Sequence, residues 1–230
     1  MNITISGYNR PSYLDQTCSA LSRCVGVSSA RVVVILDPCE ETDESKDIAS
    51  KYGYETVALN RHAGCSIAIL MSLRYGFEIM QSEFHIHLED DCVPTRDALL
   101  WYSWARDTYR HRQEVFTVSG YQRVSNGKTD ECGIRRWFTP WGWGTWADRW
   151  REMQPRWTSS DETSWDIVVN DQIRGTRFEA YPTVSRIQNI GAEKGTHVQS
   201  VEWHSKYHRA ETTADDLGSV PVREYIEVEE

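Results

Sequence analysis

Three consecutive carboxylates, Glu89-Asp90-Asp91, directly follow an apolar run over residues 84–88. Like charges held this close raise one another's pKa and are costly to keep ionised without a cation. A bound Mg²⁺ or Mn²⁺ offsets that cost, because hard divalent ions take oxygen ligands and complete their shell with water or substrate phosphate. A solvated acidic turn is the plain alternative. His85, His87 and Glu89 alternate along the same run and share one face of a strand. Two imidazoles next to Asp91 open a metal-dependent hydrolase reading, set against core histidines satisfied by hydrogen bonds.

A second group is aromatic. Seven of the ten tryptophans lie between positions 137 and 165. In Trp141-Gly142-Trp143-Gly144-Thr145-Trp146, glycines separate the indoles, so no helix face collects them. Glycine lets a backbone approach a ligand closely, and indole faces stack on sugars or bases. A hydrophobic mini-core closing the domain is the alternative, and one segment can do both. Trp165-Asp166 follows this block, where an aromatic surround can lift a carboxylate into the range of a general base. Further on, Arg186 suits a phosphate or carboxylate partner. His197, after a Gly-Thr turn, is placed to reach a metal or a diphosphate, with a structural role as the other reading. His204 and His208 are four apart, but without a third ligand they define no site.

The elements that must position these groups are clearest before residue 95. Short β-branched runs at 3–6, 32–36, 56–59 and 84–88 alternate with helical stretches that begin near Pro11, Thr42 and Gly64. The 32–36 run is apolar on both faces, as a buried parallel strand requires. Such alternation predicts an α/β fold with a mostly parallel sheet and right-handed crossovers, whose ligands lie at the carboxyl ends of the strands. Those ends carry Tyr8 and Arg10, Asp37, Arg61, and Glu89 to Asp91. From about residue 94 a helix bearing Trp101 and Trp104 leads to a strand at 115–119, a loop at 125–133, and then the aromatic block. The expected organisation is one domain over 1–209 in two halves, 1–93 and 94–209. An acidic tail occupies 210–230.

Composition bounds the class. The 230 residues are 40% hydrophobic and 26% charged, ordinary values for a globular chain. No apolar run approaches the length of a membrane span, and the opening Met1-Asn-Ile-Thr-Ile-Ser lacks the basic and apolar regions of a signal peptide. Six cysteines contain no Cys-x-x-Cys pair, and Cys65 and Cys92 lie in apolar segments as small core residues. Reduced thiols, a cytoplasmic location and no stable membrane insertion are therefore expected. The net charge of −9 is uneven: residues 96–157 carry 11 Lys/Arg against 7 Asp/Glu, while 1–95 carry 7 against 13. Global acidity makes a poor non-specific nucleic-acid binder, yet the basic middle segment suits an anionic ligand.

In this order the motifs resemble nucleotide-sugar-dependent glycosyltransferases of the GT-A fold, in particular the family typified by N-acetylglucosaminyltransferase I and its small bacterial and phage-type members. The likeness covers roughly residues 3–200 and implies a nucleotide-binding half at 1–93 and an acceptor and sugar half at 94–209. It implies that Arg10 and Asp37 contact the nucleotide, with Tyr8, Arg61, Glu89 and Asp90 nearby. It further implies that Asp91, joined by His197, holds Mn²⁺ or Mg²⁺. The Gly-Trp block Trp141, Gly142, Trp143, Gly144 and Trp146, with Trp165 and Arg186, would shape the sugar and acceptor pocket, and Asp166 would be the base. The implied activity is inverting transfer of a hexosyl or N-acetylhexosaminyl group from a nucleoside diphosphate sugar, a UDP-sugar in this family. The acceptor hydroxyl would belong to a glycan, a small molecule or a hydroxymethylated DNA base. A carbohydrate-binding protein without catalysis and a metal-dependent hydrolase remain the alternatives.

Overall fold

The computed structural model describes residues 1–158, 164–193 and 198–228. Its first half alternates strand and helix: β1 (Asn2–Gly7), α1 (Pro11–Ser22), β2 (Arg31–Leu36), α2 (Thr42–Lys51), β3 (Glu55–Ala58), α3 (Cys65–Arg74) and β4 (Phe84–Glu89). Then come the short β5 (Cys92–Pro94), α4 (Ala98–Tyr109), β6 (Val115–Ser119), β7 (Glu131–Arg135), β8 (Trp143–Trp146) and α5 (Ala147–Met153). The remainder comprises α6 (Trp165–Val168), which continues as a π-helical turn over Val169–Ile173, then β9 (Phe178–Pro182), β10 (Ile187–Asn189), α7 (Val201–Tyr207) and β11 (Ile226–Glu227).

Nine strands form one sheet in the order β11-β7-β9-β6-β8-β4-β1-β2-β3. Five of its pairings are parallel and three are antiparallel, so the sheet is mostly parallel, as expected. Alternation along each strand divides the apolar residues between two faces. Ile3, Ile5, Val32, Val34, Ile86 and Leu88 pack beneath α1, α2 and α4, together with Leu14, Ala49 and Trp101. On the opposite face Phe116 and Trp143 meet Ile69 and Leu73 of α3, Trp150 of α5 and Val168 of α6. The acidic C-terminal stretch packs back onto this body: Tyr225 lies 4.9 Å from Trp101 and β11 extends the sheet beside β7.

The chain order places the site. From β1 the chain steps outward through β2 to β3, then returns to lay β4 on the other side of β1. The carboxyl ends of β1 and β4 thus flank the topological switch point, where connections leave in opposite directions and open a crevice for ligands. β8 runs antiparallel to β4, with His87 opposite Trp143 and Phe84 opposite Trp146. Trp143 therefore begins near the site, and Trp146 ends beside the start of β4, at the opposite end of the strands.

Candidate active site

Arg10 and the acidic triplet meet at the switch point. Asn9 adopts φ +42°, a left-handed turn that asparagine tolerates better than most residues and that folds Arg10 back toward β4. Pro11 then opens α1 at the position where its missing N–H costs nothing. Arg10 donates through Nη2 to Asp90 Oδ1 and through Nη1 to Asp91 Oδ2, the latter at 2.8 Å. The Tyr8 N–H also reaches Asp90, at 3.2 Å, and the Thr17 hydroxyl donates to the Asp90 carbonyl at 2.7 Å. Asp90 is buried beneath these bonds, so its carboxylate fixes Arg10 and the β1 loop rather than facing a nucleotide.

Glu89 and Asp91 remain for chemistry. Burial, then Asp91, pushes the Glu89 carboxyl well above the usual carboxylate range, with Asp90 and Asp166 adding to the effect and Arg10 opposing it. Four carboxylates thus share one guanidinium, a local excess of negative charge that suits a cation. Among the described residues no three His, Cys, Asp or Glu side chains converge as a complete metal cage. An ion here would take Asp91, with Glu89 at hand, and draw its other oxygens from a ligand. Gly191 leaves the room: a Cβ at that position would lie 2.1 Å from Asp91 Oδ2. Its N–H donates to Asn189 Oδ1 at 2.9 Å, and the same oxygen is 2.7 Å from His204 Nε2. His204 therefore ties α7 to the rim of Asp91. His197 lies outside the described residues.

Asp166 approaches from the other face of the sheet. It stands in the first turn of α6, half-buried, within electrostatic reach of Glu89, and its Oδ1 is buried with no hydrogen-bond partner. Trp165 aims it. That indole stacks on Trp157 at 5.6 Å and on Trp143 at 6.0 Å, while Phe138 meets it edge-on at 5.8 Å. The Trp157 Nε1–H donates to Ser66 of α3 at 3.3 Å, closing the stack onto the sheet. Cys65, expected in the core, is instead exposed at the first turn of α3, beside Trp165.

The nucleotide-side residues of the first three strands also gather. Asp37, buried at the end of β2, accepts the Ala63 and Gly64 N–H groups at 2.8 and 2.9 Å and lies 2.9 Å from His62 Nδ1. His62 stacks on Tyr8 with ring centroids 4.8 Å apart, and Arg61 is exposed next to it. Together they form an aromatic and basic shelf over β1 and β2. A cleft of about 280 Å³ opens on the other side of Arg10, lined by Ser12, Tyr13, Glu41, Glu44 and Glu193. Its three glutamates make it a poor seat for a diphosphate.

Several residues expected in the sugar and acceptor pocket serve elsewhere. Trp146 is buried at the opposite end of the strands, edge-on to Phe84 at 5.1 Å, and its Nε1–H donates to the Arg106 carbonyl. Arg186 is fully buried: it pairs with Asp97 at 3.2 Å and donates to the Val184 and Thr129 carbonyls, acting as an internal strut. Gly144 makes room for Phe84 and Gly142, at φ +65°, for Ile187, so both glycines admit side chains of this protein rather than a ligand. Trp143 is buried as well and acts through Trp165. Trp141 alone of the block stays half-exposed, packed between Tyr121 at 4.8 Å and His208 at 4.4 Å. His85 and His87 are fully buried and engaged by Thr4 at 2.8 and 3.4 Å, which removes them as metal ligands. His62 and Asn189 carry no motif in the sequence, and neither the tryptophan cluster nor the His204–His208 spacing assigns a role to Trp157 or His204. Only their contacts across the fold identify them.

The chain shares its fold with TarS. Crystal structures of S. aureus TarS residues 1–349, alone, with UDP-GlcNAc and with UDP, superpose with TM-scores of 0.58, 0.60 and 0.60 at 12–13% identity. They match 81% of this chain and 56–59% of theirs, so the chain spans little more than half the length of those structures. No family model and no curated protein matches the sequence. Among the described residues no helix is long and apolar enough to cross a membrane.

Proposed function

We propose that the protein transfers a sugar from a UDP-sugar to an acceptor hydroxyl by inverting single displacement. The observation that carries the reading is Asp166, a carboxylate with an unpartnered buried oxygen beside the acidic end of β4. A shared fold with a protein crystallised with UDP-GlcNAc supports a UDP-sugar as the donor. The motif order of the N-acetylglucosaminyltransferase I type supports the same site assignment.

In this reading Tyr8, Arg61 and the Asp37–His62 pair receive the nucleoside, and Arg10 turns its charge toward the diphosphate. Asp91, backed by Glu89 and cleared by Gly191, would hold Mn²⁺ or Mg²⁺, which when bound supplies neutralisation for the departing diphosphate. Asp166 accepts the proton of the acceptor hydroxyl as that oxygen attacks the anomeric carbon. The stack of Trp165 on Trp143 and Trp157 fixes the helical turn that carries this carboxylate. Trp141 offers the face on which a sugar ring or a hydroxymethylated base can stack.

General-base assistance is worth roughly 10²–10⁴-fold in rate. Asp166→Asn should lose about that much in transfer from a UDP-sugar while binding UDP with unchanged affinity. Normal turnover by this variant would remove Asp166 as the base, and loss of UDP binding would make it part of the donor site.

A further inference from the structure

A second site emerges from the polar atoms that find no partner inside the described fold. Arg174 follows the π-helical turn after α6 and is only 3% exposed, yet its Nε and Nη1 are buried without a hydrogen-bond partner. Its nearest countercharge is already occupied. The buried Glu179 carboxylate takes Arg135 Nε and Nη2 at 3.1 and 2.9 Å, the Thr117 hydroxyl at 3.1 Å, and the Thr139 N–H at 3.0 and 3.2 Å. Arg135 in turn closes on Gln122 Oε1, the Tyr121 carbonyl and the Thr139 hydroxyl. That pair is neutral and complete. Arg174 stays outside it, with Arg135 and Arg136 repelling it and Asp171 on the exposed side of the preceding turn. A guanidinium does not shed its proton in a protein, and a buried charge without a partner is among the costlier features a fold can hold.

We propose that Arg174 forms the floor of a site for an oxyanion, a phosphate group above all. Above it lie the exposed Gly175 and Thr176, and the exposed Arg136 donates to the Thr176 carbonyl at 3.0 Å. Release of that bond, and of the Arg136 guanidinium from the Phe178 ring it covers at 5.5 Å, would open the way in and bring a second guanidinium to the anion. Two planar forks converging on one group are the arrangement that phosphate recognition favours. The neighbouring Trp137 is 71% exposed, so an apolar face borders the charged one. Phe138, next in the chain, packs on both Trp143 and Trp165 and joins this region to Asp166. Asp166 and Arg174 stand at opposite ends of one helical run, eight residues or roughly 10–12 Å apart along its axis. The site thus suits a phosphate carried by the acceptor, held one sugar or so from the reacting hydroxyl. That role rests on the transfer reading; anion binding itself does not.

The test is thermal stability in sodium phosphate against sodium chloride at matched ionic strength, for wild type, Arg174→Met and Arg174→Lys. Phosphate also stabilises folded proteins by exclusion from their surface, so the difference between wild type and variant is the quantity read. At roughly ten times Kd, wild type should gain a few degrees more than Arg174→Met. Arg174→Lys, which keeps the charge without the fork, should gain less than wild type. In chloride Arg174→Met should melt no lower than wild type, because its side chain fills the stem's space without the charge. An equal gain in all three proteins, or a large loss of stability in Arg174→Met with chloride, would overturn the proposal and make Arg174 a structural strut. Glycerol 1-phosphate tests the source: the same gain admits an ester-borne group, and a response confined to the free ion removes the acceptor role. UDP with Mn²⁺, titrated into the same proteins, separates the two readings. Loss of the UDP response alone removes the transfer reading, and loss of the phosphate response alone removes this site.

Discussion

The two histidines inside β4 make stability sensitive to acid in a way that can be worked from the structure. Both are fully buried, and burial lowers each pKa to about 3, with the pair repelling one another at His85. In the unfolded chain an imidazole titrates near 6.5. Each folded pKa therefore lies below its unfolded value, and the unfolded state binds protons first as pH falls. The stabilisation is fully present above about pH 6.5 and is lost progressively from there down toward pH 3. At pH 5 each neutral imidazole costs the native state about 2 kcal/mol, and that figure hardly depends on how far below 4 the folded pKa lies. Two of them remove about 4 kcal/mol, a large share of a typical stability of about 5–15 kcal/mol. Asp90 works in the opposite sense, since burial lifts its pKa to about 7 against the pull of Arg10, and its penalty is relieved on acidification. The assay must isolate one group. Urea unfolding at pH 7 and pH 5 on wild type and His87→Gln does so, because glutamine can keep a hydrogen bond to Thr4 but does not titrate. Between the two pH values wild type should lose about 2 kcal/mol more than the variant. Equal losses would refute the claim that His87 is held neutral in the core, and would return it to the candidates for a metal site.

Two other substitutions separate site from scaffold. Gly191→Ala places a methyl group against Asp91 Oδ2 and must turn that carboxylate away from Arg10. It should weaken metal-assisted UDP binding by roughly 10–100-fold, the usual effect of disturbing the groups around a metal ligand, while the melting temperature moves little; unchanged affinity measured by calorimetry would show that Asp91 does not hold an ion. Trp146→Ala should cost about 3–5 kcal/mol of stability and leave UDP affinity of the folded fraction intact. A stable variant with impaired binding, seen by urea unfolding and calorimetry, would return Trp146 to the ligand pocket.

The parallel half of the fold was legible because its signals are local. A run such as Val32 to Leu36 is apolar on both faces and can only be an inner strand, and a polar residue directly after it marks the end where ligands gather. Arg10, Asp37, Arg61 and the triplet at 89–91 are marked that way, and the structure does bring them to one end of the sheet. The second half was not legible because its roles depend on direction and distant partners. Trp-Gly-Thr-Trp reads as a ligand loop until β8 is known to run antiparallel to β4, which carries Trp146 away from the site and puts Phe84 where a Cβ of Gly144 would be. Arg186 looks like a phosphate ligand because its partner, Asp97, lies 89 positions earlier. His204 shows in sequence only its spacing from His208, since its contact with Asn189 exists only once α7 has docked. In sequence the tryptophan cluster reads both as a pocket and as a mini-core. Structurally it is chiefly the latter, a stack that aims Asp166.

The central claim is that the crevice between β1 and β4 binds a uridine nucleotide with the help of a divalent ion. Calorimetric titration of UDP into the protein, with Mn²⁺ at saturation and with EDTA, tests it directly. The account predicts binding at least about tenfold tighter with the ion, a difference of about 1.4 kcal/mol, and loss of that difference in Asp91→Asn. Absence of UDP binding in saturating Mn²⁺, or equal affinity with and without the ion, would contradict it.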